Sequence, residues 1–269
     1  MKKIVVNALL AITAVLTALP LVWMLSASLM PTGEATQLPP RFLPSHPTIT
    51  HYRDLFTRMN FGQSFANSMI IAAGITLCSL FLNSMAGYAF AKLRFGGRDR
   101  LFGLLIAALV IPTQVGMLPL FLLLKSVHLV NSYWGVILPS MATIFGVFLI
   151  RQFMISIPDD LLDAARIDGA GEFRIYWSIV LPLARPVLVT LAIFMFMSAW
   201  NDFLWPLIVL TDSAKYTLPV AVANLVGEHV QDTELMMASS VLTVLPVLIL
   251  FLALQRHYIA GIMVGSVKG

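Results

Sequence analysis

Charge is what this sequence has least of. Only 11% of its 269 residues are Asp, Glu, Lys or Arg, against 59% hydrophobic. A soluble domain carries about 25% charged residues, which keep its surface in water. The shortfall excludes a soluble globular protein and points to a membrane protein. Cysteine is almost absent: Cys78 stands alone in an apolar run. One cysteine makes no intrachain disulfide, so a disulfide-stapled scaffold is excluded and the redox compartment leaves no trace. No Gly-x-x-x-x-Gly-Lys-Ser/Thr run occurs, so this phosphate cradle is missing. His128, His229 and His257 are isolated, with no pair at metal-ligand spacing, and read as surface residues. No metal site is expected.

What the chain has instead is long apolar runs. Crossing the hydrocarbon of a bilayer takes about 20 apolar residues in a helix. Six blocks qualify, at 4–30, 65–91, 101–124, 135–153, 183–211 and 240–258. The first follows Met1-Lys2-Lys3 and resembles a secretory signal, with a faint cleavage-site likeness in "SAS" at 26–28. A cleaved signal has an apolar core of about 7–15 residues. Here nothing is charged from Ile4 to Met30, so an uncleaved anchor is expected. The pI near 9.4 raises nucleic acid as a partner. The basic residues, however, sit at the edges of the apolar blocks, and this is topology behaviour. With the amino terminus inside, the inside segments hold twelve Lys and Arg and the outside segments five. The expectation is an all-α integral membrane protein, a single transmembrane domain over 1–269, with six spans and both termini cytoplasmic.

Between the fourth and fifth blocks lies a polar loop, 154–182, whose stretch "DDLLDAARIDGAGEF" (159–173) carries five acidic side chains. The orientation puts it in the cytoplasm. Pro158 suits the first helical position. Asp159 and Asp160 follow, near the positive end of the helix dipole. Leu161, Leu162 and Ala165 lie at helical spacing. Gly169 stops the helix as a residue that takes positive φ. A second short helix is expected after Gly171, carrying Phe173, Tyr176 and Trp177 and ending at Leu181-Pro182. Two readings stand side by side: a plain surface helix over the membrane face, or a docking element whose small Ala164-Ala165 pair lets another protein approach.

The stretch "DAARIDGAGEFRIYWSIVLPLARP" (163–186) resembles the cytoplasmic signature loop of ABC importer permeases. That signature reads Glu-Ala-Ala, Asp-Gly-Ala, an aromatic, then Ile-x-Leu-Pro. Ala164, Ala165, Asp168, Gly169, Ala170, Tyr176, Ile179, Leu181 and Pro182 match it. Asp163 stands where Glu is usual, one methylene shorter, and Tyr176 where Phe is common. The likeness extends over nearly the whole chain through "LPLVWMLSASL" (19–29), "NSMIIA" (67–72), "GYAFAKLRFGG" (87–97), "IPTQVGMLPLF" (111–121), "AWNDFLWPLIVL" (199–210) and "GIMVGSVKG" (261–269). These look like the carbohydrate-uptake subfamily, relatives of the smaller maltose permease subunit. The resemblance implies a type I ABC importer permease fold in the bacterial or archaeal cytoplasmic (inner) membrane, and a transporter subunit rather than an enzyme. ATP and Mg would bind a separate ATPase, and this chain would hold no cofactor. The implied partners are a second, longer permease subunit, two cytoplasmic ATPase subunits, an extracytoplasmic solute-binding protein and membrane lipid, with no nucleic acid. Asp163, Ala164, Ala165, Asp168, Gly169, Ala170, Tyr176, Leu181 and Pro182 would couple the chain to the ATPase. The solute would be a sugar or oligosaccharide, or alternatively a polyol, glycerol phosphate or other sugar derivative.

Away from the ends of the blocks one charge survives, Asp202 in "WNDF". An intramembrane ionisable group is a functional candidate by default. Asp202 and Asn201 either contact solute or serve structure and gating by capping a break before Pro206. Gln114 follows Pro112, which frees a span carbonyl that a polar side chain can satisfy. Trp200 and Trp205 either stack on a sugar ring or anchor the chain at an interface. Asn83 and Ser84 beside Gly87 suit helix packing better than pathway lining. Gln114, Trp200, Asn201 and Asp202 are thus the translocation-path candidates. An ion-coupled secondary transporter would show repeats and several intramembrane charges. An intramembrane enzyme would need paired catalytic groups. Neither pattern is present.

Overall fold

The structure is a computed structural model. It describes residues 2–39, 41–228 and 232–266, with side chains for all of these except 2, 225–228 and 254–266. His229 and Lys268 lie outside the described residues, as does the side chain of His257. All regular structure among the described residues is helical. Three helices are long and apolar enough to cross a membrane unbroken: α1 (Lys2–Ala27), α3 (Phe61–Lys92) and the Thr233–Ala253 part of α14 (Thr233–Ser266).

The other three expected spans are broken. α4 (Arg98–Ala108) and the segment Thr113–Ser126, which ends in α5 (Met117–Ser126), meet at 95°. α6 (Tyr133–Ser140) and α7 (Ile144–Met154) meet at 42°. The segment Glu172–Leu183 meets α11 (Arg185–Trp200) at 79°. Counting each pair as one span gives up to six. Proline explains the breaks: its missing N–H and its ring interrupt the helical ladder. Pro112, Pro139 and Pro186 stand at or beside the three bends. The apolar blocks are continuous in composition, so composition alone does not register these breaks. The stretches left between the blocks at 31–64 and 212–239 also hold helices, α2 (Thr50–Arg58) and α13 (Leu218–Glu228).

The chain divides into two compact units. One comprises Met1–Phe65 and Thr217–Ile249. Within it α1 is bare along its apolar length, as a helix facing lipid or another chain would be. The loop after α1 is held by polar contacts: buried Glu34 accepts from the Ser45 N–H and from Arg41, and His51 Nε2 pairs with the Met30 carbonyl at 2.9 Å.

The second unit comprises Ala66–Tyr216 and Leu250–Gly269, and contains the loop 154–182. α8 (Asp159–Ile167) and α9 (Glu172–Ile175) lie in this loop, followed by a π turn over Tyr176–Val180 and α10 (Leu181–Leu183). Leu162, Ile175 and Tyr176 are buried in one cluster with Tyr88 of α3, Ile150 and Met154 of α7, and Leu191 of α11. Burying a side chain such as Leu162 contributes about 1.5–3 kcal/mol. The loop is therefore a packed part of the unit. Small residues allow the closeness: a Cβ at Gly87 would lie 2.8 Å from Ile150 Cβ. Asn83 is buried and its Oδ1 accepts from the Thr143 N–H at 3.0 Å, which ties α3 to the bend between α6 and α7. Asn83 and Ser84 thus serve helix packing. A second cluster gathers Ile71, Ile75, Leu124, Val136, Ile137, Trp205 and Val209, the last two from α12 (Leu204–Val209).

Candidate functional site

The first helix of the loop 154–182 starts one residue later than its sequence suggests. Pro158 is extended, with ψ 132°, and precedes the helix, whose first turn carries Asp159 and Asp160. The end of α8 is a complete Schellman closure. The Gly169 N–H donates to the Arg166 carbonyl and the Ala170 N–H to the Ala165 carbonyl, both at 3.0 Å. Gly169 takes φ +80°, a conformation that costs an L residue a Cβ clash. Ala165 and Ala170 both pack against the buried cluster below the loop, as the hydrophobic contact of this motif requires. Ala165, Gly169 and Ala170 therefore have work to do inside the chain itself. Ala164, Asp168 and Pro182 are exposed, and Leu181 is half-buried.

Tyr176 is buried: its hydroxyl pairs with Ser84 Oγ at 2.7 Å and its ring packs 5.4 Å from Tyr88. Part of the outer surface of the loop is apolar. Ile167 is 87% exposed, and Phe173 and Trp177, stacked at 6.3 Å, are 66% and 52% exposed.

A polar clasp ties the loop to the end of α3. Lys92 Nζ donates to the Ile157 carbonyl and to Asp159 Oδ1, both at 2.6 Å. Tyr88 Oη donates to Glu172 Oε2 at 2.6 Å. Arg166 Nε donates to Glu172 Oε1 at 2.7 Å, and its terminal nitrogen to Asp163 Oδ1 at 2.6 Å. Asp163 thus has a partner in its own helix, yet its side chain stays 63% exposed. The hydrogen bond and charge of Lys92 hold the Asp159 carboxyl below the usual carboxylate range. Arg166, and then Tyr88, do the same for Glu172. Both carboxylates raise the Arg166 guanidinium, Glu172 more than Asp163. Sequence reasoning did not single out Tyr88, Lys92, Arg166 or Glu172 for this role. The available signal was the four-residue spacing of Tyr88 and Lys92, which puts them on one helix face.

The translocation-path candidates separate into two groups. Gln114 and Asp202 line one cavity of about 520 Å³, together with Trp205. Asp202 Oδ1 also accepts from the Trp205 N–H at 3.4 Å, so it caps the break before α12. Trp205 Nε1 donates to the Gly135 carbonyl at 3.1 Å, which fixes the indole. Trp200 is 1% exposed, stacked on Phe196 at 5.6 Å, and is not among the cavity's lining residues. Asn201 donates to the Met197 carbonyl at 2.8 Å on the exposed end of α11 and is not in that lining either. His128 is exposed, as expected. Among the described residues no group of His, Cys, Asp and Glu could hold a metal ion.

The model of the family described as "binding-protein-dependent transport system inner membrane component" matches residues 83–264. The arabinooligosaccharides transport system permease protein AraQ of Halalkalibacterium halodurans is 40% identical over 262 residues, 96% of this chain and 94% of that protein. The diacetylchitobiose uptake system permease protein NgcG of Streptomyces coelicolor is 33% identical over 266 residues, 97% of this chain and 88% of that protein. A crystal structure of a bacterial ABC transporter involved in the import of the acidic polysaccharide alginate matches with a TM-score of 0.85. It is 25% identical to this chain, covering 95% of it and 96% of the matched chain. The likeness supports the type I permease fold. A family match of this extent, on an all-helical apolar chain, makes it an inner-membrane transport component and not itself an enzyme: the chain belongs to the binding-protein-dependent transport system inner membrane components.

Proposed function

We propose that this chain is the membrane-spanning permease subunit of an ATP-driven importer of a sugar or oligosaccharide, coupled to its ATPase through the loop 154–182. The carbohydrate cargo named for two close relatives supports the solute class. The observation that carries the coupling is the loop itself. It is a rigid helix and turn clasped to α3, yet it presents Ile167 and the Phe173–Trp177 stack outward. Apolar side chains held in water by a rigid frame fit a surface that another protein covers. Asp163, Ala164 and Asp168 face the same water and complete the contact. Tyr176, Ala165 and Ala170 set its angle from below.

In this reading the chain is one permease domain of six spans with both termini in the cytoplasm of a bacterium or archaeon. It pairs with a second, longer permease subunit, and the pair meets two ATPase subunits, which bind ATP and Mg. A solute-binding protein delivers cargo on the outer face. The ATPase closes on ATP and moves the loop, and the contacts must differ between the two states for this to shift the spans.

Ile167→Glu tests the docking. The side chain is free in this chain, so folding should be unchanged, while an apolar contact would lose its partner. The expected result is normal membrane insertion with ATPase subunits lost on purification. Equal ATPase recovery with Ile167→Glu would remove the docking surface. The topology is tested with a Cys78→Ala chain carrying a cysteine at position 2. Labelling of intact cells by an impermeant thiol reagent would contradict a cytoplasmic amino terminus.

A further inference from the structure

Three helix breaks converge on one cavity. Thr113 and Gln114 come from the break between α4 and α5, and Ser140 and Thr143 from the break between α6 and α7. Asp202 comes from the break between α11 and α12, and Ser198 from the last turn before it. Irregular backbone at membrane depth is tolerated only where it is buried in protein or lines a water-filled cavity. Three such breaks around one space of about 520 Å³ mark a site, and the size lies in the range of small-molecule pockets.

The lining also has a definite chemistry. Its polar groups are four hydroxyls, one carboxamide and one carboxylate, and no Lys or Arg is among them. Hydroxyls and an amide both donate and accept, while an ionised carboxylate only accepts. The set complements a solute rich in hydroxyl groups. It offers nothing to neutralise an anion, and a solute carboxylate or phosphate would face Asp202 as a like charge. Trp205, with its N–H already bonded to Gly135, adds a fixed apolar wall against which the less polar face of a sugar ring can lie.

We propose that this cavity contacts the solute during passage and selects neutral, polyhydroxylated solutes over acidic sugars and sugar phosphates. The proposal rests on the import reading above and narrows its substrate class. Asp202 has two roles here: one oxygen caps the break before α12, and the carboxylate sets the sign of the cavity's field.

The field can be read without knowing the cargo. In a Cys78→Ala chain assembled with its partner subunits, Ser198→Cys places a thiol in the lining; Thr113→Cys is the second position should the first not assemble. Reaction with a cationic methanethiosulfonate should outpace the anionic one about fivefold or more relative to a free thiol. That ratio combines the attraction of one reagent and the repulsion of the other by one unit charge across about 8 Å of water. Adding Asp202→Asn should remove the bias. A neutral arabinotriose should protect the thiol and a uronate trisaccharide should not. Equal reaction of both reagents with Asp202 present, or equal protection by both saccharides, overturns the proposal. The charge bias needs no transport, so it survives failure of the import reading. That reading fails on its own terms if proteoliposomes of the complete complex move no saccharide of either class.

Discussion

Tyr88→Phe is the smallest perturbation of the clasp between the loop and α3. It removes one oxygen and leaves the ring that packs on Tyr176. The lost bond runs to a carboxylate, and hydrogen bonds to charged groups contribute about 1.5–3 kcal/mol. The lower end applies, because the Glu172 side chain is 43% exposed and keeps Arg166, so water replaces the phenol at part of the cost. A loss of about 1.4 kcal/mol raises the population of the unclasped loop roughly tenfold. Hydrogen exchange reads this directly: amides over 159–175 of the purified complex should exchange about ten times faster, and those of α7 should not change. Glu172→Gln should do the same or more, since it weakens the bonds to both Tyr88 and Arg166. In the double variant the two losses should be less than additive, because they share one bond. Exchange over 159–175 unchanged by Tyr88→Phe, or strict additivity of the pair, would show that apolar burial of Leu162, Ile175 and Tyr176 alone holds the loop.

The clasp also shows where sequence reasoning reached its limit. The stop of α8 at Gly169 and the aromatic helix after Gly171 were legible, and the start of α8 to within one residue, because each is a local matter of dipole, φ and spacing. The six apolar blocks were legible from length alone. The three bends within them were not, since Pro112, Pro139 and Pro186 lie inside runs whose hydropathy hardly changes. The path candidates divided on tertiary packing: Gln114 and Asp202 line the cavity, whereas Trp200, the last residue of α11, is packed away. Thr113, Ser140, Thr143 and Ser198 were invisible as site residues, because a single hydroxyl in an apolar run carries no pattern. Their meeting depends on tertiary geometry that no local spacing encodes. Lys92 was counted only as a topological charge. Its 4% exposed side chain, spent on Ile157 and Asp159, is a long-range contact of the same kind.

Acid should loosen the loop. Glu172 and Asp159 are held below their ordinary values, so their contribution is complete above the unfolded carboxylate pKa of about 4 and is lost as pH falls through the depressed values. The distance between spin labels at positions 94 and 160 should stay constant from pH 7 to pH 5 and broaden only below about pH 4; broadening already at pH 6 would contradict this assignment. Gly169→Val separates strain from contact. Apart from the adjoining residues, a Cβ at Gly169 meets no atom within 4 Å, so the added carbon finds open space. What remains is the left-handed backbone, about 1–2 kcal/mol for an L residue and more for one branched at Cβ. Asn tolerates that conformation better and also closes helices at this position. Loop exchange should therefore rise little in Gly169→Asn and clearly in Gly169→Val. Transport distinguishes the rest. If strain alone matters, Gly169→Asn imports nearly as well as the parent. If a partner occupies the open space beside Gly169, Gly169→Asn keeps the loop folded and still loses ATPase association. The docking reading requires the second result. Normal ATPase association in both variants would make Gly169 a helix stop and nothing more.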